Sequence, residues 1–424
     1  MKSIRNLVLG MMTMSSVLVG CKDDDPKGPV TVVEDGFYVV GAATAVADLL
    51  ANDASKGLMA AGINEAGGAV RTGMYEKYVA LEGGKTFSLI LKEGDKETKY
   101  GATLADADLS EIDEQPETAQ KGVLTSGGAD MQVTTNGLYH IVIDLNKDNK
   151  LDGPVIYVTP VKWGIRGHLN SWGFTALTAP TFNKTTMTYT LSNVKASSSG
   201  EYKFAYSSGW KIFLNGSDDD VVETNRVRVN TNLGNDGGAN GGNLTAKLLP
   251  GGPNIGIARG IYTIKLTWTL AKGAVKEGYV AEMTKTGDPE MNNYSNCEVE
   301  LVGSGVDESN SGAQPDVVWG GWGHVVSAGK PVKDGNVYTW TWNSVTLKAE
   351  GFKIRTINAQ PSGGIDGFDL GFGAVDAGAS PDVVEDGGNI KATEAGSYKI
   401  VLIIDAAAEA AEEANARKVV ITKL

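Results

Sequence analysis

The chain has 424 residues, a formal net charge of −13 and two cysteines. That length allows three hydrophobic cores. The acidity argues against nucleic acid and anionic lipid surfaces as partners, and two cysteines exclude a disulfide framework.

Lys2 and Arg5 precede an apolar run over residues 7–19, too short to span a bilayer and flanked like a secretory signal. The run closes on Leu18-Val19-Gly20-Cys21, with Leu three before the cysteine and a small residue directly before it. That is the pattern of a bacterial lipobox, and cleavage would leave Cys21 as a lipidated N-terminus. The competing reading is a chance cysteine behind an ordinary signal peptide. Pro26, Gly28 and Pro29 keep the following stretch out of helix and sheet, so residues 1–20 read as signal and 21–35 as lipidated tether. No second long apolar segment follows, which leaves the lipid as the expected membrane attachment. Cys297 alternates with Glu298 and Glu300 and reads as a small core residue.

Short alternating runs separated by Gly, Asn and Asp turns predict strands, and a phrase repeats among them. Gly137-Leu138-Tyr139-His140-Ile141, Gly260-Ile261-Tyr262-Thr263-Ile264 and Gly396-Ser397-Tyr398-Lys399-Ile400 each open a strand followed by a loop and another strand. Three openings run from a strand into glycine: Phe37 to Gly41, Val161-Lys162-Trp163-Gly164 and Val317-Val318-Trp319-Gly320. A middle phrase carries Lys203-Phe204 in one unit and Lys353-Ile354 in another. The pattern predicts an all-β chain of three tandem antiparallel β-sandwiches, of Ig-like or carbohydrate-binding-module-like architecture, over residues 36–160, 161–302 and 303–424. The Ala/Glu stretch at residues 406–414 reads as a short helical or irregular insertion between two strands.

The lipobox, the Lys22-Asp23-Asp24-Asp25 that follows it, and the tandem units together resemble the SusE/SusF family of outer-membrane glycan-binding lipoproteins. The basic-then-acidic run resembles the surface-export signal of Bacteroidetes lipoproteins; otherwise it is a solvated linker. The likeness is clearest in residues 161–302 and 315–424, and weaker in 36–160, which lacks the Trp-Gly opening and the Lys-Phe pair. It implies a surface-exposed, non-catalytic protein that holds starch or another polysaccharide beside a SusC/SusD-type transporter. Starch itself does not follow from it.

Sugar recognition uses flat aromatic faces and planar amide or cationic donors. In the second unit the candidates are Trp172, Tyr206, Trp210 and Lys211, with Asn215 beyond; Trp172 and Trp210 form a platform if their loops meet, or else cap the core. In the third they are Trp322, Lys353, Arg355 and Asn358. Trp163, Trp268 and Trp319 sit in strand contexts and read as core, and the alternating Tyr338, Trp340 and Trp342 form either a core ladder or a platform. The first unit has no Trp; Tyr38, Tyr75 and Tyr78 suit core roles, and the unit reads as a spacer. Asp144, Asn146, Asp148 and Asp152 alternate like calcium ligands, but the run lacks the turn glycine and the late Glu, so an Asn/Asp hairpin turn explains it better. No metal or cofactor is expected. Nor is catalysis, since no nucleophile, base and orienting group stand out together. A surface adhesin or structural envelope lipoprotein that binds protein rather than glycan is the alternative.

Overall fold

The computed structural model describes residues 33–65, 68–109, 117–147, 154–206, 210–215, 225–273, 275–357 and 368–424. Cys21, the signal and most of the tether, Asp148, Asp152 and Asn358 lie outside them. The described chain is mostly β, its strands pair antiparallel, and its three repeating units share one plan.

In the first unit, β1 (Gly36–Val40) is followed by β2 (Ala69–Leu81), β3 (Thr86–Glu93), β4 (Gly137–Asp144) and β5 (Val155–Pro160). The second repeats this as β6 (Trp163–Gly167), β7 (Thr186–Ala196), β8 (Gly200–Tyr206), β9 (Asn232–Asn235), β10 (Gly260–Thr269) and β11 (Tyr279–Gly287). The third runs β12 (Val299–Gly303), β13 (His324–Gly329), β14 (Val337–Leu347), β15 (Gly351–Thr356), β16 (Asp369–Leu370), β17 (Gly396–Asp405), a short helix α1 (Ala406–Ala410) and β18 (Arg417–Lys423). In each unit the opening strand pairs with the middle one: β1 with β3, β6 with β8, β12 with β15. A second sheet lays the Gly-x-Tyr strand between two others, as β2–β4–β5, β7–β10–β11 and β14–β17–β18. Period-2 alternation turns the apolar residues of both sheets inward, as in β10, where Tyr262, Ile264, Leu266 and Trp268 are buried between partly exposed neighbours.

The repeated phrase has a physical reason. Each tyrosine hydroxyl donates to a carbonyl four residues back: Tyr139 to Thr135 at 2.9 Å, Tyr262 to Ala258 at 3.0 Å and Tyr398 to Glu394 at 2.7 Å. The bond ties the loop entering the sheet to the strand itself, as a tyrosine corner does. A β-bulge in the neighbouring strand also recurs, between Leu191 and Val194 and between Trp342 and Val345.

Two expectations need correction. Residues 317–321 are not an opening strand; β12 takes that place, because Val299–Thr356 and Val302–Lys353 are in register just as Trp163–Tyr206 and Arg166–Lys203 are. The third unit therefore begins before residue 299 rather than at 303, and Tyr294 and Cys297 already belong to its core. The recurring opening glycines are Gly41, Gly167 and Gly303, one step past β1 and at the ends of β6 and β12. A Cβ at Gly41 would stand 2.7 Å from the Thr86 carbonyl oxygen, at Gly167 2.3 Å from that of Glu201, and at Gly303 2.6 Å from that of Gly351. Only glycine lets the opening strand close against its neighbour there.

The first two units share one hydrophobic core, while the third has its own. At the shared junction His140 is fully buried between Tyr206 (Nδ1 to the hydroxyl, 2.7 Å) and Glu76 (Nε2 to Oε2, 3.0 Å). Tyr78 stacks on its ring at 4.1 Å, and Trp163 and Tyr279 close the cluster. Tyr157 donates to the Leu214 carbonyl at 2.7 Å and Lys77 to that of Ala271 at 2.6 Å. Between the second and third units Ser199 donates to the Glu412 carboxylate through both its amide and its hydroxyl.

Candidate functional site

The outer face of the β6–β8–β9 sheet carries a cleft of about 320 Å³ lined by Trp172, Trp210, Lys203, Lys211, Asn230, Asn232, Asn254, Gly251 and Glu65. Alternation explains its floor. Ile165, Tyr202 and Phe204 point into the core, so Arg166 and Lys203, which face each other across the strand pair, point out.

The wall is a short loop after β6. Ser171 and Trp172 both adopt left-handed backbone, at φ 52° and 63°. That conformation costs about 1 kcal/mol or more for a bulky residue and persists only where the surroundings impose it. Here the Trp172 amide donates to the Gly167 carbonyl at 2.7 Å, and Arg166 Nε donates to the Trp172 carbonyl at 2.8 Å. The Asn170 amide side chain spans the loop, accepting from Gly167 N and donating to Ile165 O and Thr175 Oγ1. Trp172 is thus held in place. Trp210 approaches it with ring centroids 6.0 Å apart at 59°, and the Arg166 guanidinium lies 4.3 Å over the Trp210 ring. Asn232 Nδ2 donates to the Trp210 carbonyl at 2.9 Å and fixes the second wall. The two indoles are half-buried and inclined at 59° to each other, and Asn230, Asn232 and Asn254 line the same cleft. Flat apolar faces beside planar donors and acceptors are the chemistry of sugar recognition.

The structure thus brings Trp172, Trp210 and Lys211 together. It removes Tyr206, which is 0% exposed and bonded to His140, because its strand position turns it inward. Asn215 is buried too, accepting from Val227 N and donating to Asn225 O. Arg166, Lys203, Asn230, Asn232 and Asn254 were missed as contributors. Their signal was the alternation that buries Ile165 and Phe204, which sends Arg166 and Lys203 outward.

In the third unit the aromatic feature is a loop tip. Trp319, expected in the core, is 40% exposed and stacks on Trp322 at 6.0 Å and 26°. Asp316 anchors the tip by accepting from the amides of Val318, Trp319 and Trp322. Arg355 is not an exposed donor. It is buried, bonded to Glu300 at 2.6 Å and Asp316 at 2.8 Å, and its guanidinium lies 4.6 Å over the Trp319 ring. Burial raises the Asp316 carboxyl, but Arg355 and the backbone amides outweigh it and hold it down at about 2. Lys353 pairs with Asp369 at 2.8 Å. Tyr338, Trp340 and Trp342 are core.

Another cavity, of about 350 Å³, lies at the junction of the first two units among Leu138, Val161, Leu177, Phe182 and Tyr189. Among the described residues no group of three His, Cys, Asp or Glu side chains converges to hold a metal. Asp144 instead accepts from Arg71 at 2.6 Å and caps the Asn146 amide at 2.9 Å, as a turn residue does. No helix among the described residues is long and apolar enough to cross a membrane.

No protein-family model and no curated protein matches the chain. Among solved structures it is similar to the crystal structure of SusF from Bacteroides thetaiotaomicron, at 13% identity over 86% of this chain and 74% of that one. The TM-score is 0.20, and a superposition that loose carries no argument about what the chain does.

Proposed function

We propose that the chain is a non-catalytic, lipid-anchored polysaccharide-binding protein of an outer membrane, facing outward from Cys21 and supplying glycan to a SusC/SusD-type uptake system. The observation that carries this is the Trp172–Trp210 cleft: two indoles fixed by Arg166, Asn170 and Asn232 beside a row of amides. Binding that needs no rearrangement suits a protein that must capture its ligand and let it go. Glycoside hydrolysis needs two carboxyl groups flanking the bond. Among the described residues Glu65 lines the cleft alone, and Arg228 and Lys211 engage it. The lipobox and its acidic sequel supply the address. The tip of the third unit offers a second aromatic surface for the same polymer.

A protein-binding adhesin is the second reading. The apolar tip favours it, with Val317 88% and Val318 69% exposed beside Trp319. Affinity electrophoresis across a panel of neutral and acidic polysaccharides separates the two. Retardation by at least one glycan, weakened ~10-fold or more by Trp172→Ala or Trp210→Ala, is the expected result. No retardation by any glycan sinks the proposal and leaves the adhesin.

A further inference from the structure

The three units place different residues at one structural position. Lys203 on β8, Lys353 on β15 and Ser88 on β3 are equivalent by register, facing Arg166, Val302 and Val40 respectively. The strand on the other side is equivalent as well: Ala205 pairs with Asn232, and Arg355 with Asp369. Each lysine reaches for the residue there. Lys353 Nζ finds the Asp369 carboxylate at 2.8 Å, whereas Lys203 Nζ finds only the Asn232 amide oxygen at 3.4 Å.

The third unit therefore neutralises its lysine and the second does not. Lys203 is half-buried, and among the described residues no carboxylate pairs with it. Burial alone lowers its ammonium below the ordinary value. Opposite it across the strand pair stands Arg166, whose guanidinium donates to the Trp172 carbonyl and lies over the Trp210 ring. Among the described residues the acids at the margin are engaged elsewhere: Glu65 with Arg228 and Lys211, Glu201 with Asn254 Nδ2 at 2.7 Å. A half-buried cation with no counter-ion among the described residues, on the floor of a cleft walled by two indoles, is a place for an anion that arrives with the ligand.

We infer that the cleft of the second unit takes an acidic saccharide, with a carboxylate or sulfate group seated on Lys203 while its ring faces Trp172 and Trp210. This rests on the glycan-binding reading above and narrows it. The net charge of −13 does not oppose it, because screening within about 8 Å at physiological salt leaves local charges to decide. The third unit, with Lys353 and Arg355 both paired to carboxylates, has no such preference.

The test is affinity electrophoresis of the purified chain in polygalacturonate, in its methyl-esterified form, in a sulfated glycosaminoglycan and in neutral glucan, mannan and xylan. Polygalacturonate is expected to retard the chain and its ester to do so ~10-fold less, with the acidic interaction alone weakening as salt rises. Retardation by the sulfated polymer instead assigns the anion as sulfate. Lys203→Gln is expected to bring retardation by the acidic polymer down to that by its methyl ester. Retardation by neutral polymers alone, or an acidic preference that survives Lys203→Gln, overturns the inference while the glycan-binding reading stands. Failure of every polymer removes both.

Discussion

Tyr206→Phe tests whether the first two units are one folding body. The hydroxyl and the His140 ring are both fully buried, 2.7 Å apart, and they belong to different units. In the tautomer that places the imidazole proton on Nε2, facing the Glu76 carboxyl, Nδ1 accepts from Tyr206. Phenylalanine keeps the ring packed against Trp163 and Tyr78 but orphans Nδ1 in a place water does not reach. A lost buried partner of this kind costs about 2 kcal/mol. For a body of this size that lowers the melting temperature by roughly 4–8 °C. Scanning calorimetry reads it directly. Two transitions are expected, one for the joint core of units one and two and one for unit three, and only the former should move. An unchanged first transition would refute the account of the junction. So would an equal displacement of both transitions, since the third unit has its own core.

Three further outcomes follow from single groups. Burial pushes the Lys77 ammonium down to about 7, so between there and its ordinary value the unfolded chain binds more protons and stability rises with pH. Urea midpoints measured at several pH values across that window should rise less steeply in Lys77→Met than in the wild type. Gly303→Ala puts a Cβ 2.6 Å from the Gly351 carbonyl at a φ of 141°, and should destabilise the third unit alone by about 2–3 kcal/mol in denaturant titration. Asp316→Asn removes one of the two counter-charges of Arg355 and weakens the anchor of the tip. Iodide should then quench tip tryptophan fluorescence more than in the wild type. The native carboxylate's own contribution is present above its ordinary value near 3.8 and lost as pH falls toward 2.

Fold class, the three-fold repetition and most of the core were legible because strand alternation is written residue by residue. Trp163, Trp268, Trp340 and Trp342 are buried as that pattern requires. The Gly-x-Tyr phrase was visible as a repeat, but its cause, a hydroxyl reaching back four residues, is a backbone fact. The matching of openings failed in the third unit because Val-Val-Trp-Gly imitates a strand entering glycine. The distinguishing property, a glycine without room for a Cβ against the next strand, is not local. Tyr206 and Arg355 were misjudged for related reasons. One ends a strand that docks on another unit, and the other answers two acids that are 55 and 39 positions away in the chain. The comparison of Asn232 with Asp369 required register across three strands, which no single run of sequence contains.

The joint core also has a mechanical meaning. If the protein is held near its N-terminus and pulled from its C-terminus, force reaches the third unit and the first two through separate cores. Extension should then release length in two steps rather than three. With at most ~3.6 Å per extended residue, the larger step approaches ~900 Å and the smaller about half of that. A tethered molecule built this way yields first at one end and keeps the Trp172–Trp210 cleft folded, or else gives up the cleft and its base together.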